Sequence, residues 1–141
     1  MTPPELRRRT AAFARVIVTL VKPLVRAEET AYIARQLRRA ALSTASNYRS
    51  AGRAKSHPDF TSKICTVLEE IDEAQGWLET LRDCRLVEVR LIDKPLQEAT
   101  ELVKIFTKAY DTAKRNDQSN DRKDSRKRRK RDRNGEKDDD E

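Results

Sequence analysis

The strongest helix signal in the sequence lies in residues 56–84, SHPDFTSKICTVLEEIDEAQGWLETLRDC. Ser56 is a favoured cap residue, Pro58 suits a first helical turn, and Asp59 is placed to reach back to the cap backbone. Apolar residues then recur at helical spacing and form one stripe: Phe60, Ile64, Val67, Leu68, Ile71, Ala74, Leu78 and Leu81. The pattern predicts an amphipathic helix that ends near Asp83 or Cys84.

Two more amphipathic helices are predicted upstream. The first begins at Thr2, and Pro23 is expected to kink or end it, because proline breaks the backbone hydrogen bonding of a helix interior. The second runs from about Ala27 to about Ala51, where Gly52 is a natural stop.

A fourth helix is predicted downstream. Residues 85–92 alternate like a short strand, but a lone strand has no pairing partner, so we interpret them as a connection that is partly helical. Asp93 is expected to cap the fourth helix, with Pro95 early in it. Four amphipathic helices with short links predict an all-α, antiparallel up-and-down four-helix bundle over residues 1–113.

The composition changes sharply at Lys114. Residues 114–141 contain twelve Lys or Arg, nine Asp or Glu and no apolar side chain, so this second region is predicted to be a disordered, charged C-terminal tail. It includes a basic block, Arg126, Lys127, Arg128, Arg129, Lys130 and Arg131. This block is a candidate nucleic-acid contact, and the alternative is a solubilising tail whose acids partly neutralise its bases.

The second predicted helix carries arginines along one side and apolar residues along the other. On a helical wheel its arginines fall within about 100° of arc, and with the lysine that follows them they form a candidate nucleic-acid site: Arg35, Arg38, Arg39, Arg49, Arg53 and Lys55. Arginine presents a planar fork that suits phosphate oxygens. The alternatives are pairing with carboxylates of a neighbouring subunit or of the same bundle, and a solvated face.

The pairing alternative has support in the third helix, which is predominantly acidic. Leu42 lies in the middle of the arginine arc, and Trp77 lies at the edge of the third helix's apolar stripe. A monomer core would explain neither position, whereas a subunit interface would, since buried aromatic anchors often dominate interface energies. Leu42 and Trp77 are therefore predicted to lie in a homo-oligomer interface.

The sequence contains few residues that are suited to catalysis or to binding a cofactor. His57 is the lone histidine, and it has no nucleophile or metal ligand at a recognised spacing. Cys65 and Cys84 fall in one helix about 28 Å apart, which excludes a disulfide between them. We therefore predict a protein that is not an enzyme and binds no metal or cofactor.

The net charge is +7, and no apolar stretch approaches the roughly 20 residues that span a membrane. The charge favours acidic partners such as nucleic acid. No secretion signal is recognised, so a cytoplasmic location is expected.

Several of these residues also carry a family resemblance. The run QLRRAALSTASN at 36–47, followed by Gly52-Arg53, Asp59-Phe60 and Trp77-Leu78, resembles the bacterial four helix bundle protein family. Members of that family are often encoded in intervening sequences of large-subunit ribosomal RNA genes. The resemblance covers residues of roughly 5 to 113.

The resemblance implies an up-and-down four-helix bundle that assembles as a homopentamer. The chain is also similar to the accessory protein of diversity-generating retroelements, which implies binding of RNA or DNA and of a reverse transcriptase. One departure is local: where the family usually has Ala-Glu-Gly after the asparagine and its neighbour, this chain reads Arg49-Ser50-Ala51-Gly52. A carboxylate is missing and a positive charge is added, so any role resting on that glutamate does not carry over.

Overall fold

The computed structural model describes residues 1–135, which form four α-helices joined by short links. They are α1 (Pro3–Val21), α2 (Ala31–Ala51), α3 (His57–Asp83) and α4 (Val89–Gly135), with one 3₁₀ turn at Leu24–Arg26. Each helix packs on the next one in the chain, and α1 also contacts α4. The predicted all-α, antiparallel up-and-down four-helix bundle is confirmed.

The core is built from aliphatic side chains of all four helices. Ile17, Leu37, Ile71 and Leu102, one from each helix, are completely buried, and full burial of one such side chain stabilises the fold by about 1.5–3 kcal/mol. The core residues of α4 end at Ala113. The packed part of the bundle therefore stops where the sequence composition changes.

Cap residues begin α1 and α3 as predicted. Thr2 and Glu5 form a reciprocal capping box, in which each side chain accepts a hydrogen bond from the other's backbone N–H. At α3, Ser56 Oγ accepts a hydrogen bond from Asp59 N at 3.2 Å. The Asp59 carboxylate, however, accepts from Lys55 N at 3.0 Å, one residue before the cap that the sequence indicated.

The start of α2 differs from the sequence prediction. The chain makes a 3₁₀ turn after Pro23, and α2 begins at Ala31 instead of near Ala27. The reason is Thr30, which is buried and donates its hydroxyl to Leu24 O at 2.7 Å. That contact ties the residue before α2 to the 3₁₀ turn and delays the helix by about one turn.

The start of α4 was also predicted too late. The helix begins at Val89, so Asp93 does not cap it and Pro95 lies inside it. Ile92 is completely buried, and its packing keeps residues 89–94 helical although Pro95 provides no backbone N–H.

The described part of the tail is helical, whereas the sequence predicted disorder. Residues 114–135 continue α4 without a break, and every side chain from Gln118 to Gly135 is exposed. The sequence has no proline or glycine between Lys114 and Gly135, and lysine and arginine are good helix formers. A packed helix has already been nucleated, so the extension adds one hydrogen bond per residue without a new nucleus. The remainder of the predicted tail, 136–141, lies outside the described residues.

Candidate nucleic-acid interface

The outer face of α2 separates charge from apolar surface as the helical wheel predicts. Ala34, Leu37, Ala40, Ala41 and Thr44 are completely buried on the core side. On the other side of α2, Arg38 is half-buried, and Arg35, Arg39 and Arg49 are exposed. Arg53 and Lys55 are also exposed, but they lie beyond the end of α2 in the link to α3, where the helical wheel does not apply. This segregation orients the guanidinium groups away from the core.

Within residues 1–135, Arg39 is the member of this set that pairs with carboxylates. Its guanidinium lies between two carboxylates of α3, with Nη1 3.1 Å from Glu70 Oε2 and Nη2 hydrogen-bonded to Glu73. The hydrogen bond from Arg39 lowers the pKa of Glu73, and Trp77 Nε1 donates a second one to that carboxylate. For Arg39, the structure therefore shows pairing with carboxylates of the same bundle.

The other arginines of the set keep their charge available. Within residues 1–135, no carboxylate lies within 4.0 Å of the guanidinium groups of Arg35, Arg38, Arg49 or Arg53. An exposed guanidinium without a protein carboxylate retains its full set of donors for phosphate oxygens. Four of the five predicted arginines thus remain candidates for an anion.

A further basic residue joins this surface from α1. Arg7 is exposed, and its Nη1 would lie 3.5 Å from a Cβ placed at Gly52, at the end of α2. Burial raises the pKa of Tyr48, and the charge of Arg7 acts in the opposite direction. Arg7, Tyr48 and His57 line a cleft of about 470 Å³ at this end of the bundle. Arg7 was not among the predicted site residues, because its position beside Gly52 depends on how α1 packs.

The extension of α4 leaves the bundle from this same end. His57, the first residue of α3, has Nε2 3.3 Å from Ala113 O and 3.1 Å from Asp117 Oδ1. The basic block 126–131 follows on the exposed helix beyond. The structure therefore puts the C-terminal half of the arginine face, Arg7 and the extension at one end of the molecule.

Leu42 and Trp77 have different environments. Leu42 is 48% exposed, in keeping with its position among the arginines. Trp77 is half-buried against the core, and its ring meets that of Tyr32 edge to face, with centroids 6.0 Å apart. Contacts within one chain therefore account for part of the buried surface of Trp77. The assignment of Leu42 and Trp77 to an oligomer interface stays a prediction.

Metal ligands do not gather in the part of the chain that the structure describes: no group of three or more His, Cys, Asp or Glu side chains is positioned to hold an ion. Among the helices of residues 1–135, none is both long and apolar enough to cross a membrane.

Comparison with known proteins gives a matching family and similar solved structures. The model of the family described as 23S rRNA-intervening sequence protein matches residues 5–108. The crystal structure of a protein of unknown function from the S23 ribosomal protein family, from Bacteroides thetaiotaomicron VPI-5482, is similar with a TM-score of 0.68 and 28% sequence identity. The match covers 74% of this chain and 96% of that one. No curated protein matches the chain.

Proposed function

Because the chain belongs to the 23S rRNA-intervening sequence protein family, we propose that it is a non-enzymatic adaptor that binds nucleic acid. In this proposal it is a homo-oligomer, a pentamer as the sequence resemblance implies. Arg35, Arg38, Arg49 and Arg53 contact the phosphate backbone of RNA or DNA, assisted by Lys55 and by the basic residues of the α4 extension.

The observation that carries the proposal is the arginine face of α2. Three guanidinium groups without a carboxylate partner among residues 1–135, those of Arg35, Arg38 and Arg49, lie on one side of a helix whose other side is buried, and Arg53 follows just beyond the end of that helix. From Arg35 to Arg49 the face covers about 21 Å of helix, which is long enough to meet several phosphates.

RNA is the first ligand to test, because the family is named for an intervening sequence of 23S rRNA. Binding is expected to be independent of base sequence. Phosphate contacts fix a protein on its ligand without reading bases, and no base-reading motif is present in the sequence.

A filter-binding titration against salt tests the proposal. Each phosphate contact adds about 0.9 to the slope of log affinity against log salt on a duplex. The triple variant Arg35→Gln, Arg49→Gln, Arg53→Gln should lower that slope by about two to three. The control Arg15→Gln, Lys22→Gln, Lys94→Gln removes the same charge from exposed positions elsewhere and should change it little. No binding by the unmodified protein at low salt would refute the proposal.

The second candidate function is a protein-interaction module in which the basic face pairs with carboxylates. The observation behind it is that one arginine of this face, Arg39, already pairs with carboxylates, Glu70 and Glu73 of its own chain. Under this alternative, the Arg38→Gln, Arg39→Gln variant changes the oligomer mass in light scattering but leaves nucleic-acid retention unchanged. Under the first proposal, the same variant binds nucleic acid less tightly at an unchanged mass.

The oligomer itself is tested at Leu42. Leu42→Asp puts a charge on an exposed apolar side chain that has no visible role in the core. If Leu42 lies in a subunit interface, the light-scattering mass falls toward that of the monomer. Leu42→Gln is the uncharged control and should have a smaller effect.

A protein partner is the remaining part of the proposal. The resemblance to the accessory protein of diversity-generating retroelements makes a reverse transcriptase the first enzyme to test. Co-purification from the native host identifies what the protein holds, and recovery of the protein without nucleic acid or enzyme would count against an adaptor role.

A further inference from the structure

The extension of α4 has no counterpart in the family match. That match ends at residue 108, and the related crystal structure is almost fully covered by 74% of this chain. The extension 114–135 nevertheless continues as a helix and contains eleven Lys or Arg against four Asp. A formal charge of +7 in 22 residues, all beyond the core, is a feature of this chain that the bundle does not require.

Five of the eleven bases of the extension, together with Lys108 on the packed part of α4, fall in one stripe, and the other six lie outside it. At about 100° per residue, six basic side chains fall within about 60° of arc and about 37 Å of length along the axis. They are Lys108, Arg115, Arg122, Arg126, Arg129 and Arg133. The stripe begins on the packed part of α4 and continues along the extension. Asp111 is the one acid within the same arc, and Lys114 Nζ lies 3.9 Å from its carboxylate.

The acids of the extension occupy a different arc. Asp117, Asp121, Asp124 and Asp132 fall within about 80°, centred more than 100° from the basic stripe. Their arc continues the line of buried residues that ends at Ala113. Lys114 and Arg128 share the arc of the acids, whereas the remaining nine bases of the extension, five of them in the stripe, lie on its acid-free side. A polyanion that docks on the part of the stripe within residues 114–135 therefore meets no carboxylate of the extension.

We infer that the basic stripe of α4 docks lengthwise on the phosphate backbone of double-stranded RNA. This inference rests on the proposed nucleic-acid function and names the ligand's form and the surface that meets it. A single strand is disfavoured, because proteins that hold single strands stack the bases on aromatic side chains, and the sequence has no aromatic residue after Tyr110.

The acidic arc is the reason to expect an RNA duplex and not a DNA duplex as the ligand. The major groove of B-DNA is about 12 Å wide, and a helix with its side chains is about 10–12 Å across, so a helix in that groove has phosphates on both flanks. Asp121 and Asp132 would then face phosphates. The A-form RNA duplex closes its major groove to side chains, and proteins contact its backbone from outside. A helix with one basic side is suited to that contact.

Two variants with equal charge changes test the inference. The stripe variant carries Arg122→Gln, Arg126→Gln, Arg129→Gln and Arg133→Gln. The control variant carries Lys123→Gln, Lys127→Gln, Arg128→Gln and Arg131→Gln, which lie on the same stretch but outside the stripe. Glutamine keeps a good helix propensity, and circular dichroism checks that both variants retain the helical content of the unmodified protein.

Filter binding to a blunt RNA duplex over a salt series gives the readout. The stripe variant should lower the salt slope by about three to four, and the control by about one or less. A tenfold or greater preference of the unmodified protein for the RNA duplex over the matching DNA duplex and single strand is also expected.

Equal effects of the two variants overturn the inference, since they indicate a polycation without an oriented face. Equal binding of duplex RNA and duplex DNA overturns the assignment of RNA as the preferred ligand. In either case the proposed function stands if the unmodified protein binds nucleic acid and the α2 triple variant weakens it. Absence of all nucleic-acid binding instead refutes the proposed function itself.

Discussion

His57 Nε2 lies 3.1 Å from Asp117 Oδ1 and 3.3 Å from Ala113 O, and it joins the first turn of α3 to the point where α4 leaves the bundle. Ala113 O is a carbonyl oxygen that can only accept, so Nε2 donates this hydrogen bond, whereas Asp117 Oδ1 is within ion-pair distance but makes no hydrogen bond among the described residues. The imidazole also stacks on Phe60, with ring centroids 6.1 Å apart. The lone histidine of the chain thus holds the base of the extension against the bundle.

Asp117→Ala should loosen that attachment. Hydrogen exchange of the backbone amides of residues 113–121 is expected to become several-fold faster, because the contact to His57 is lost. Alanine has a better helix propensity than aspartate, so faster exchange cannot come from propensity. Asp121→Ala is the matched control, one turn further along on an exposed side chain. Equal exchange in both variants would mean that the His57 contact does not hold the extension.

The α2–α3 ion pair makes stability depend on pH. Arg39 lowers the pKa of Glu73, so the folded state favours the carboxylate more than the unfolded state does. This contribution is complete above the unfolded pKa of about 4.3 and is lost as the pH falls through the lower, folded value. We expect Arg39→Met to cost at most about 1 kcal/mol, because the Arg39 side chain is 48% exposed.

Urea unfolding at neutral pH and at about pH 3 measures this effect. The difference in unfolding free energy between the unmodified protein and Arg39→Met should be present at neutral pH and shrink in acid. Arg35→Met, on the same helix without a carboxylate partner in residues 1–135, should show no such dependence. A difference that is constant with pH would contradict the role of the Glu73 pair.

The elements that the sequence predicted well depend on local chemistry. Ser56, Pro58 and the apolar stripe after them define α3, and its cap at Cys84 agrees with the predicted end. The elements that were misplaced depend on distant contacts. The start of α2 is set by the hydroxyl of Thr30 on Leu24 O, and the early start of α4 is set by burial of Ile92.

The same distinction applies to the candidate site. The arginine face of α2 follows from helical periodicity alone, and the structure has it for Arg35, Arg38, Arg39 and Arg49, whereas Arg53 lies beyond the end of the helix. The pairing of Arg39 depends on the register between α2 and α3, and the position of Arg7 beside Gly52 joins residues 45 apart in the sequence. Neither the pairing of Arg39 nor the position of Arg7 could be predicted from a helical wheel. The helical extension was missed because low hydrophobicity argues against a core and says nothing against a helix that continues a packed one.

Arg9 supplies the main polar link between α1 and α4. Its Nε lies 2.6 Å from Glu98 Oε1 and its Nη2 2.8 Å from Glu101 Oε1, with the Arg9 side chain 21% exposed. We expect Arg9→Met to reduce the unfolding free energy by about 1–2 kcal/mol, between the values of exposed and buried pairs. Arg8→Met, an exposed neighbour, is the control for urea unfolding. Equal stability of the two variants would show that apolar packing alone holds α1 to α4.

Arg85 is the site where one substitution should stabilise the bundle. It follows the cap of α3 with a φ of 54°, the left-handed region that favours glycine. Arg85 N donates to Arg82 O and Leu86 N to Leu81 O, the hydrogen-bond pattern of a Schellman motif. A non-glycine residue in this conformation costs about 1–2 kcal/mol, and the greater freedom of glycine in the unfolded chain offsets part of the gain.

Arg85→Gly is therefore expected to raise the unfolding free energy by about 0.5–1 kcal/mol, measured by urea denaturation. Arg85→Ala removes the same exposed side chain but keeps the strained backbone, so it should give no increase. If alanine stabilises as much as glycine, the gain comes from loss of the arginine charge and the strain at this link is not significant. If glycine alone stabilises, the α3–α4 link holds backbone strain that the sequence pattern did not reveal.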